Sequence, residues 1–265
     1  MRQYMSMFRM RLIAGMQYRA AAWAGIATQF FWGFMHVMIY EAFYRTGMEQ
    51  EFQWNQLIVY IWLQQAFLAM IMMWFQDGEL FTSIINGHVA YELCRPYSLY
   101  TFWYSRLLGG RLSSVLLRCV PFLIFAFLLP GKYRMSLPYS FAAGALFLIS
   151  LWVAALLATT ISMFVYILTF ITLNRAGSNM LIVAADFLQG LIIPIPLMPP
   201  ALQTVMNFLP FRYTSDLPFR VYSGSIAGGD ALFQVAVQIA WTVGLFALGR
   251  LAMGRVLRRA VIQGG

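Results

Sequence analysis

Charged residues are scarce in this sequence: they make up 10% of its 265 residues, whereas hydrophobic residues make up 61%. Soluble domains carry about a quarter charged residues and roughly half apolar ones. A chain this apolar cannot hide its hydrophobic surface in one soluble core, so the composition excludes an ordinary soluble domain. It predicts instead an all-α integral membrane protein.

Residues that commonly form catalytic or nucleotide-binding sites are also few. Lys132 is the single lysine, and no phosphate-binding loop of the G-x-x-x-x-G-K-[ST] type occurs. The two histidines, His36 and His88, and the two cysteines, Cys94 and Cys119, lack the spacing of a metal site or a disulfide pair. We therefore predict no catalytic residue, metal site or cofactor in this chain, so that any ATP is bound by another chain.

Six apolar runs alternate with polar connections, which predicts six transmembrane helices in a single domain, residues 1–265. The first run is too long for the core of a cleaved signal peptide, so we expect it to be a true span. The fourth is longer than one upright helix needs, which favours a tilted helix with an interfacial start. Pro121 in the third is expected to kink it. The runs are residues 20–44, 57–75, 112–129, 135–174, 180–193 and 231–249.

Residues 1–18 have the pattern of an amphipathic helix lying along an anionic membrane surface. Arg2, Arg9 and Arg11 lie at the edges of its apolar stripe, where their stems can reach toward the headgroups. An ordinary basic flank of the first span is the alternative. The predicted stripe consists of Met1, Met5, Phe8, Leu12 and Met16.

Two further segments do not read as simple spans. Residues 75–111 form the one long polar interval, with acids and bases among aromatic side chains, and we predict a cytoplasmic coupling segment there. Residues 194–228 are apolar but rich in proline, which cannot continue a straight helix. We predict that this segment is broken into short helices and dips back into the outer leaflet between helices five and six.

The basic residues indicate the orientation. Twelve of the 18 Lys and Arg residues fall on the side of both termini, five fall on the other side, and Arg118 falls within a span. The positive-inside rule therefore places both termini in the cytoplasm. Because the bases are spread between apolar runs instead of forming one stripe, we predict no nucleic-acid partner.

Two charged residues, Arg118 and Asp186, fall deep within predicted spans. A charge at a helix centre costs about 2.5–3.5 kcal/mol on insertion scales, so such residues usually find a partner. Each lies at a similar depth from the cytoplasmic side, which makes an ion pair between them one hypothesis. The alternative is that each has a local partner or water.

Two sequence blocks resemble a known family. The run INGHVAYELCRP, residues 85–96, resembles the I-x-x-G-x-V-x-x-x-L-x-R-P signature of the six-helix permease subunits of bacterial type-2 ATP-binding-cassette (ABC) exporters. Ile85 stands one residue closer to the glycine than in the family, and Ile84 takes the family position. The run LPFRYTSDLPFRVYSG, residues 209–224, resembles the second block of that family, an LPF followed by a proline and a Y-x-G. With the N-terminal helix and the broken segment, the resemblance covers most of the chain.

The resemblance implies a transport subunit of a bacterial cell (inner) membrane, not an enzyme. Two such permeases, identical or homologous, would sit on two copies of a nucleotide-binding subunit, which would bind ATP and Mg. In the family the interfacial helix and the first cytoplasmic loop contact the ATPase, so the expected coupling residues are Glu79, Gly87, Glu92, Arg95 and Pro96. The expected residues of the outer re-entrant block are Pro210, Phe211, Pro218, Tyr222 and Gly224.

Spans rich in Phe and Met suggest a hydrophobic or amphipathic cargo, exported from the cytoplasm or inner leaflet among the membrane lipids. Two other classes stay open. An ion-coupled carrier would use Asp186 and Arg118. A membrane-embedded lipid-modifying enzyme would need an interfacial cluster of acids and histidines, for which the candidates are Asp77, Glu79, His88 and Glu92.

Overall fold

A computed structural model describes residues 1–17, 19–45 and 52–259 of the chain. Tyr18, which ends the predicted N-terminal segment, and parts of the first polar connection and of the basic tail lie outside the described residues. The described residues form helices and contain no strand. The helices are α1 (Arg2–Met16), α2 (Arg19–Tyr44), α3 (Trp54–Ala66), α4 (Leu68–Ile71), α5 (Gly78–Ile85), α6 (Val89–Leu93), α7 (Leu99–Leu128), α8 (Phe141–Thr172), α9 (Arg175–Leu188), α10 (Pro200–Phe208), α11 (Asp216–Ser223) and α12 (Gly228–Arg259).

Three helices are long and apolar enough to cross a membrane: α7, α8 and residues Gly228–Arg258 of α12. Each has at least 30 residues and spans roughly 45 Å at 1.5 Å per residue. Their outward faces carry exposed leucines such as Leu128, Leu148 and Leu251, as expected where helices face lipid. The chain is therefore a membrane-spanning, all-helical protein.

The other three predicted spans fall on α2, on α3 with α4, and on α9. With 26 residues α2 has the length of a span, but polar residues such as Gln29 and His36 lower its hydropathy. The helices α3 and α9 have 13 and 14 residues, fewer than the ~20 that one helix needs to cross the hydrocarbon core. Residues Leu57–Ala66 of α3 are buried on every side, which is typical of a helix inside a bundle.

The helix that contains the third predicted span, α7, begins at Leu99, before the predicted start of the span at residue 112. Leu99, Tyr100, Trp103 and Tyr104 are buried at helical spacing, so residues 99–111 of the predicted polar interval are the first turns of a packed helix. The helix continues through Pro121. Residues 75–98 alone remain as a connection with two short helices.

The helix of the fourth predicted span, in contrast, begins later than expected, at Phe141 and not at residue 135. Ser140 caps α8, since its side chain accepts a hydrogen bond from the Ala143 N–H at 3.1 Å, so residues 135–140 lie outside the helix. Helix α8 is the centre of the fold and contacts α4, α5, α7, α9, α11 and α12. The fifth run is helical over Arg175–Leu188 instead of 180–193, because Asn174 caps the helix through the Ala176 N–H at 2.9 Å.

Residues 194–228 are broken into short helical pieces, as predicted. They comprise 3-10 turns at Ile195–Leu197 and Pro210–Thr214, with α10 and α11 following them in alternation. Prolines begin several of these pieces because a proline at a first helical position costs no hydrogen bond.

Candidate coupling site

A cluster of four charged side chains joins three helices at one end of the bundle. The Arg106 guanidinium of α7 binds Asp77 through both oxygens, with Nε–Oδ2 2.6 Å and Nη2–Oδ1 3.0 Å, and also contacts Glu79. Arg11 of α1 donates to Glu79 Oε2 at 2.7 Å and lies 3.7 Å from Asp77 Oδ2. We call Arg11, Asp77, Glu79 and Arg106 the charged cluster.

The local sequence explains how the cluster is positioned. Asp77 is the N-cap of α5, where its side chain accepts the Glu79 N–H at 3.0 Å. Its own N–H donates to the Tyr166 hydroxyl of α8 at 2.7 Å. The start of α5 is therefore fixed to α1, α7 and α8 at once.

The electrostatics of the cluster favour the ionised form of Glu79. The hydrogen bond from Arg11 and the positive charge of Arg106 hold the pKa of Glu79 below its usual range. The Arg106 side chain is 10% exposed and the Asp77 side chain 17%, whereas that of Glu79 is 74% exposed. The Arg106–Asp77 contact is thus the shielded part of the cluster, and Glu79 is its solvent-facing part.

Beyond the cluster, residues 78–96 form a pair of short helices that we call the α5–α6 projection. Gly87 lies in the turn between the helices with φ +73°, a conformation that favours glycine, and nothing lies near the position of a Cβ. Ile85 and Tyr91 are exposed apolar residues on this projection. Arg95 and Pro96 are exposed where the projection ends.

The five predicted coupling residues therefore fall into two groups. Glu79 and Glu92 bind groups of their own chain, since the Glu92 carboxylate accepts the Trp103 Nε1–H at 2.6 Å. Gly87, Arg95 and Pro96 are exposed. The two acids thus bind α1 and α7, and neither binds the turn at Gly87.

Helix α1 packs along the first turns of α7. A Cβ on Gly109 would lie 2.7 Å from the Phe8 carbonyl oxygen, and one on Gly15 would lie 2.1 Å from Ser113 Oγ, so glycine permits the close approach. Within the predicted apolar stripe Phe8 and Leu12 are half-buried against the bundle, whereas Met1, Met5 and Met16 are exposed. The inward face also includes Tyr4, Arg11 and Gly15.

The structure does not bring Arg118 and Asp186 together. Asp186 accepts hydrogen bonds from the Met73 N–H at 2.8 Å and from Gln189 Nε2 at 2.7 Å. The Arg118 guanidinium lies against Gly25 of α2. Local partners, the second of the two sequence hypotheses, therefore describe Asp186.

One functional candidate escaped the sequence reasoning altogether. Arg111 was assigned to the polar interval, yet it is 1% exposed and donates to the Met70 and Met72 carbonyls at 2.7 and 2.9 Å. It also donates to Ser162 Oγ at 2.6 Å. The spacing of the buried aromatic residues before it is the signal that could have placed it within a helix.

The predicted residues of the proline-rich segment, 194–228, brace the connection between α7 and α8. The Tyr222 hydroxyl donates to the Ser136 carbonyl at 3.2 Å, and the Tyr222 carbonyl accepts the Tyr139 N–H at 3.1 Å. Gly224 ends α11 with φ +76°, and its missing side chain leaves room for the Tyr139 ring. Pro210 and Pro218 are buried and Phe211 is half-buried.

This segment also holds a buried charge group that the sequence analysis did not single out. Asp216 is fully buried, and Arg212 and Arg220 lie 3.7 Å from it on either side. Arg212 Nη2 further donates to Gln234 Oε1 of α12 at 2.8 Å. These contacts tie α11 to α12.

A half-open cavity of about 440 Å³ lies between the first turns of α8, the end of α11 and the start of α12. Its wall consists largely of small and aliphatic side chains, among them Ala143, Ile149, Val221 and Ala231. A cavity of this size and lining suits part of a hydrophobic molecule.

The acids and histidine proposed for an interfacial enzyme have separate surroundings. Asp77 and Glu79 belong to the charged cluster, Glu92 binds Trp103, and His88 is exposed beside Tyr91. Within the described ranges no group of three His, Cys, Asp or Glu side chains could hold a metal ion.

A comparison with known proteins finds no family model that matches the chain, no similar curated protein and no solved structure of similar fold.

Proposed function

We propose that this chain is the membrane-spanning permease subunit of an ATP-driven exporter of the type-2 ABC class. The observation that carries the proposal is the α5–α6 projection. It bears the family-like run INGHVAYELCRP, exposes Ile85 and Tyr91 at one end of the bundle, and is fixed to α1 and α7 by the charged cluster. A projection held this firmly transmits a push to the helices behind it.

The proposal includes six membrane crossings, made by α2, α3 with α4, α7, α8, α9 and α12. The short helices α3 and α9 reach across because non-helical segments, residues 72–76 and 189–194, continue them. Non-helical backbone is tolerated at membrane depth when protein surrounds it, and the side-chain hydrogen bonds to residues 72, 73, 190 and 191 support such an environment. The proline-rich segment would then lie at the outer leaflet, with both termini in the cytoplasm of a bacterial cell.

The energy would come from a partner. Two nucleotide-binding subunits would bind ATP and Mg, and a second permease, identical or homologous, would complete the assembly. A partner can shift a conformational equilibrium only by as much as its affinity differs between the two states. ATP-dependent closure of the two nucleotide-binding subunits would supply that difference and move the α5–α6 projection together with α1 and α7.

The cargo we propose is hydrophobic or amphipathic. The cavity between α8, α11 and α12 supports this class, because small and aliphatic side chains such as Ala143 and Ala231 line it. Such a cargo would leave the inner leaflet or cytoplasm.

The test is purification of the tagged chain from its native host in mild detergent, followed by native mass spectrometry. We expect two six-helix chains with two copies of a nucleotide-binding subunit. Tyr91→Asp should lose the nucleotide-binding subunit while keeping the helical fold. The matched control is Leu173→Asn, which removes another exposed apolar residue, at a position whose φ of +50° asparagine tolerates.

A chain that purifies alone, or a Tyr91→Asp variant that keeps a bound ATPase, would contradict the proposal. Transport that survives ATP depletion but collapses with an uncoupler would favour the ion-coupled carrier instead.

A further inference from the structure

The chain between α4 and α5 leaves the helix inside the bundle, which frees backbone groups that need partners. Side chains from three other helices supply them. Arg111 of α7 donates to the Met70 and Met72 carbonyls and to Ser162 Oγ of α8. Asp186 of α9 accepts the Met73 N–H at 2.8 Å. A buried cation and a buried anion therefore hold one peptide unit of the break, since the Met72 carbonyl and the Met73 N–H belong to the same peptide group.

The break also joins the charged cluster. Gln76 Nε2 donates to the Met73 carbonyl at 2.6 Å, and the next residue, Asp77, donates its N–H to Tyr166. The same Asp77 carboxylate receives Arg106. These hydrogen bonds form a continuous network through the break, and one end of the network is the start of the α5–α6 projection.

The other end of this hydrogen-bond network reaches the proline-rich segment through Gln189. Gln189 Nε2 donates to Asp186 Oδ1 at 2.7 Å, and Gln189 Oε1 accepts the Thr214 hydroxyl at 2.7 Å. Its backbone carbonyl accepts the Ser215 hydroxyl at 2.5 Å. Gln189, Thr214 and Ser215 are fully buried. One glutamine side chain therefore binds Asp186, which in turn binds the break, with its amide N–H, and the 210–215 turn with its amide oxygen.

Because these hydrogen bonds are buried, they couple the two ends of the network to each other. In a low-dielectric interior a hydrogen bond is strengthened by its neighbours, and a donor or acceptor left without a partner is costly. If Thr214 moves, Gln189 must either follow or lose a bond. If Gln189 follows, Asp186 and the Met73 N–H must follow as well.

We infer that Asp186 and Gln189 form a positioning pair that couples the break at residues 72–76 to the proline-rich segment at residues 210–215. A displacement at either end is transmitted to the other through these two side chains. The inference concerns the chain alone, so it stands whichever partner docks on the projection.

The test is hydrogen exchange, followed by mass spectrometry, of the full chain in lipid nanodiscs. Thr214→Val keeps the side-chain shape and removes the hydroxyl that donates to Gln189. We expect amide exchange to rise about five- to tenfold not only at residues 211–216 but also at residues 72–77. An increase confined to residues 211–216 would overturn the inference.

The matched control is Thr169→Val. Thr169 Oγ1 and Ser178 Oγ form an equally buried bond at 2.6 Å between α8 and α9, outside the chain of contacts described above. Its loss should leave exchange at both test segments unchanged, and an equal rise there would show that any buried hydroxyl has the same effect, which would overturn the inference.

A reciprocal variant excludes a purely local loss of structure. Ser162→Ala removes a partner of Arg111 at the inner end and should raise exchange at residues 211–216, because coupling between two sites is reciprocal. The double variant Ser162→Ala/Thr214→Val should exchange more slowly than the product of the two single effects predicts. Independent, multiplicative effects would refute the coupling.

Discussion

Arg106→Met tests how much the charged cluster holds the protein together. Methionine keeps an apolar stem of similar length but removes both hydrogen bonds to Asp77 and the contact to Glu79. Asp77 would then keep only the Glu79 N–H at 3.0 Å and Arg11 at 3.7 Å. The variant therefore leaves a shielded carboxylate without its main partner.

The expected loss follows from the burial. Breaking a fully buried pair by removing one partner costs about 3–5 kcal/mol, and a hydrogen bond to a charged group contributes about 1.5–3 kcal/mol. Because the Asp77 side chain keeps 17% of its exposure, we expect about 2–3 kcal/mol. At roughly 2–4 °C per kcal/mol for a domain of 150–250 residues, the apparent Tm should fall by roughly 5–10 °C.

The assay is thermal unfolding in detergent, followed by the fluorescence of the native tryptophans. Arg45→Met is the matched control, since Arg45 contacts Glu41 at the same 2.6 Å but its side chain is 76% exposed. Glu41 also keeps Lys132 at 2.6 Å, so the change should stay within about 0.5 kcal/mol. Equal shifts for the two variants would refute the argument that burial decides the strength of the cluster.

Two further predictions concern the contact of α1 with the rest of the bundle. Gly109→Ala should weaken the packing of α1, because the new Cβ would press on the Phe8 carbonyl, and hydrogen exchange of residues 2–16 should become faster. Gly110→Ala is the control, since open space surrounds that position, and it should stabilise α7 by up to about 1 kcal/mol. Since Arg11 lowers the pKa of Glu79, the bond between them stabilises the fold above the ordinary carboxyl pKa of about 4.3 and is lost as the pH falls through the lowered value. Exchange of residues 2–16, taken relative to the intrinsic amide rate at each pH, should rise as the pH falls through that lowered pKa. Glu79→Gln should remove this rise, and a rise that persists in the variant would refute the assignment to Glu79.

Much of the helical layout could be predicted from the sequence, because apolar runs and prolines act locally. The first run, 20–44, nearly matches Arg19–Tyr44, and the prolines of 194–228 mark a segment that is indeed broken. The start of α7 could not be found in this way. Arg106 and Arg111 resemble loop residues in the sequence, and their partners Asp77 and Met70 are distant along the chain.

The partners of the candidate site residues could not be read from the sequence for a related reason. Counting residues from the membrane surface gives the height of Arg118 and Asp186 along their helices but not the direction in which each points. Arg118 lies against α2, and Asp186 faces the break at Met73. The sequence gives no sign that Glu92 binds Trp103 of the next helix, α7, because only the packing of the two helices brings these side chains together.

The most direct test of the proposed docking role uses the native thiol of Cys94, which directly follows α6 in the α5–α6 projection. Cys94 is exposed and Cys119 is buried, so a membrane-impermeant maleimide should label Cys94 alone. We predict labelling in inverted membrane vesicles but not in intact cells, no labelling of Cys94→Ser, and slower labelling when a nucleotide-binding subunit is bound. Labelling of Cys94 from the outside of intact cells would contradict the account.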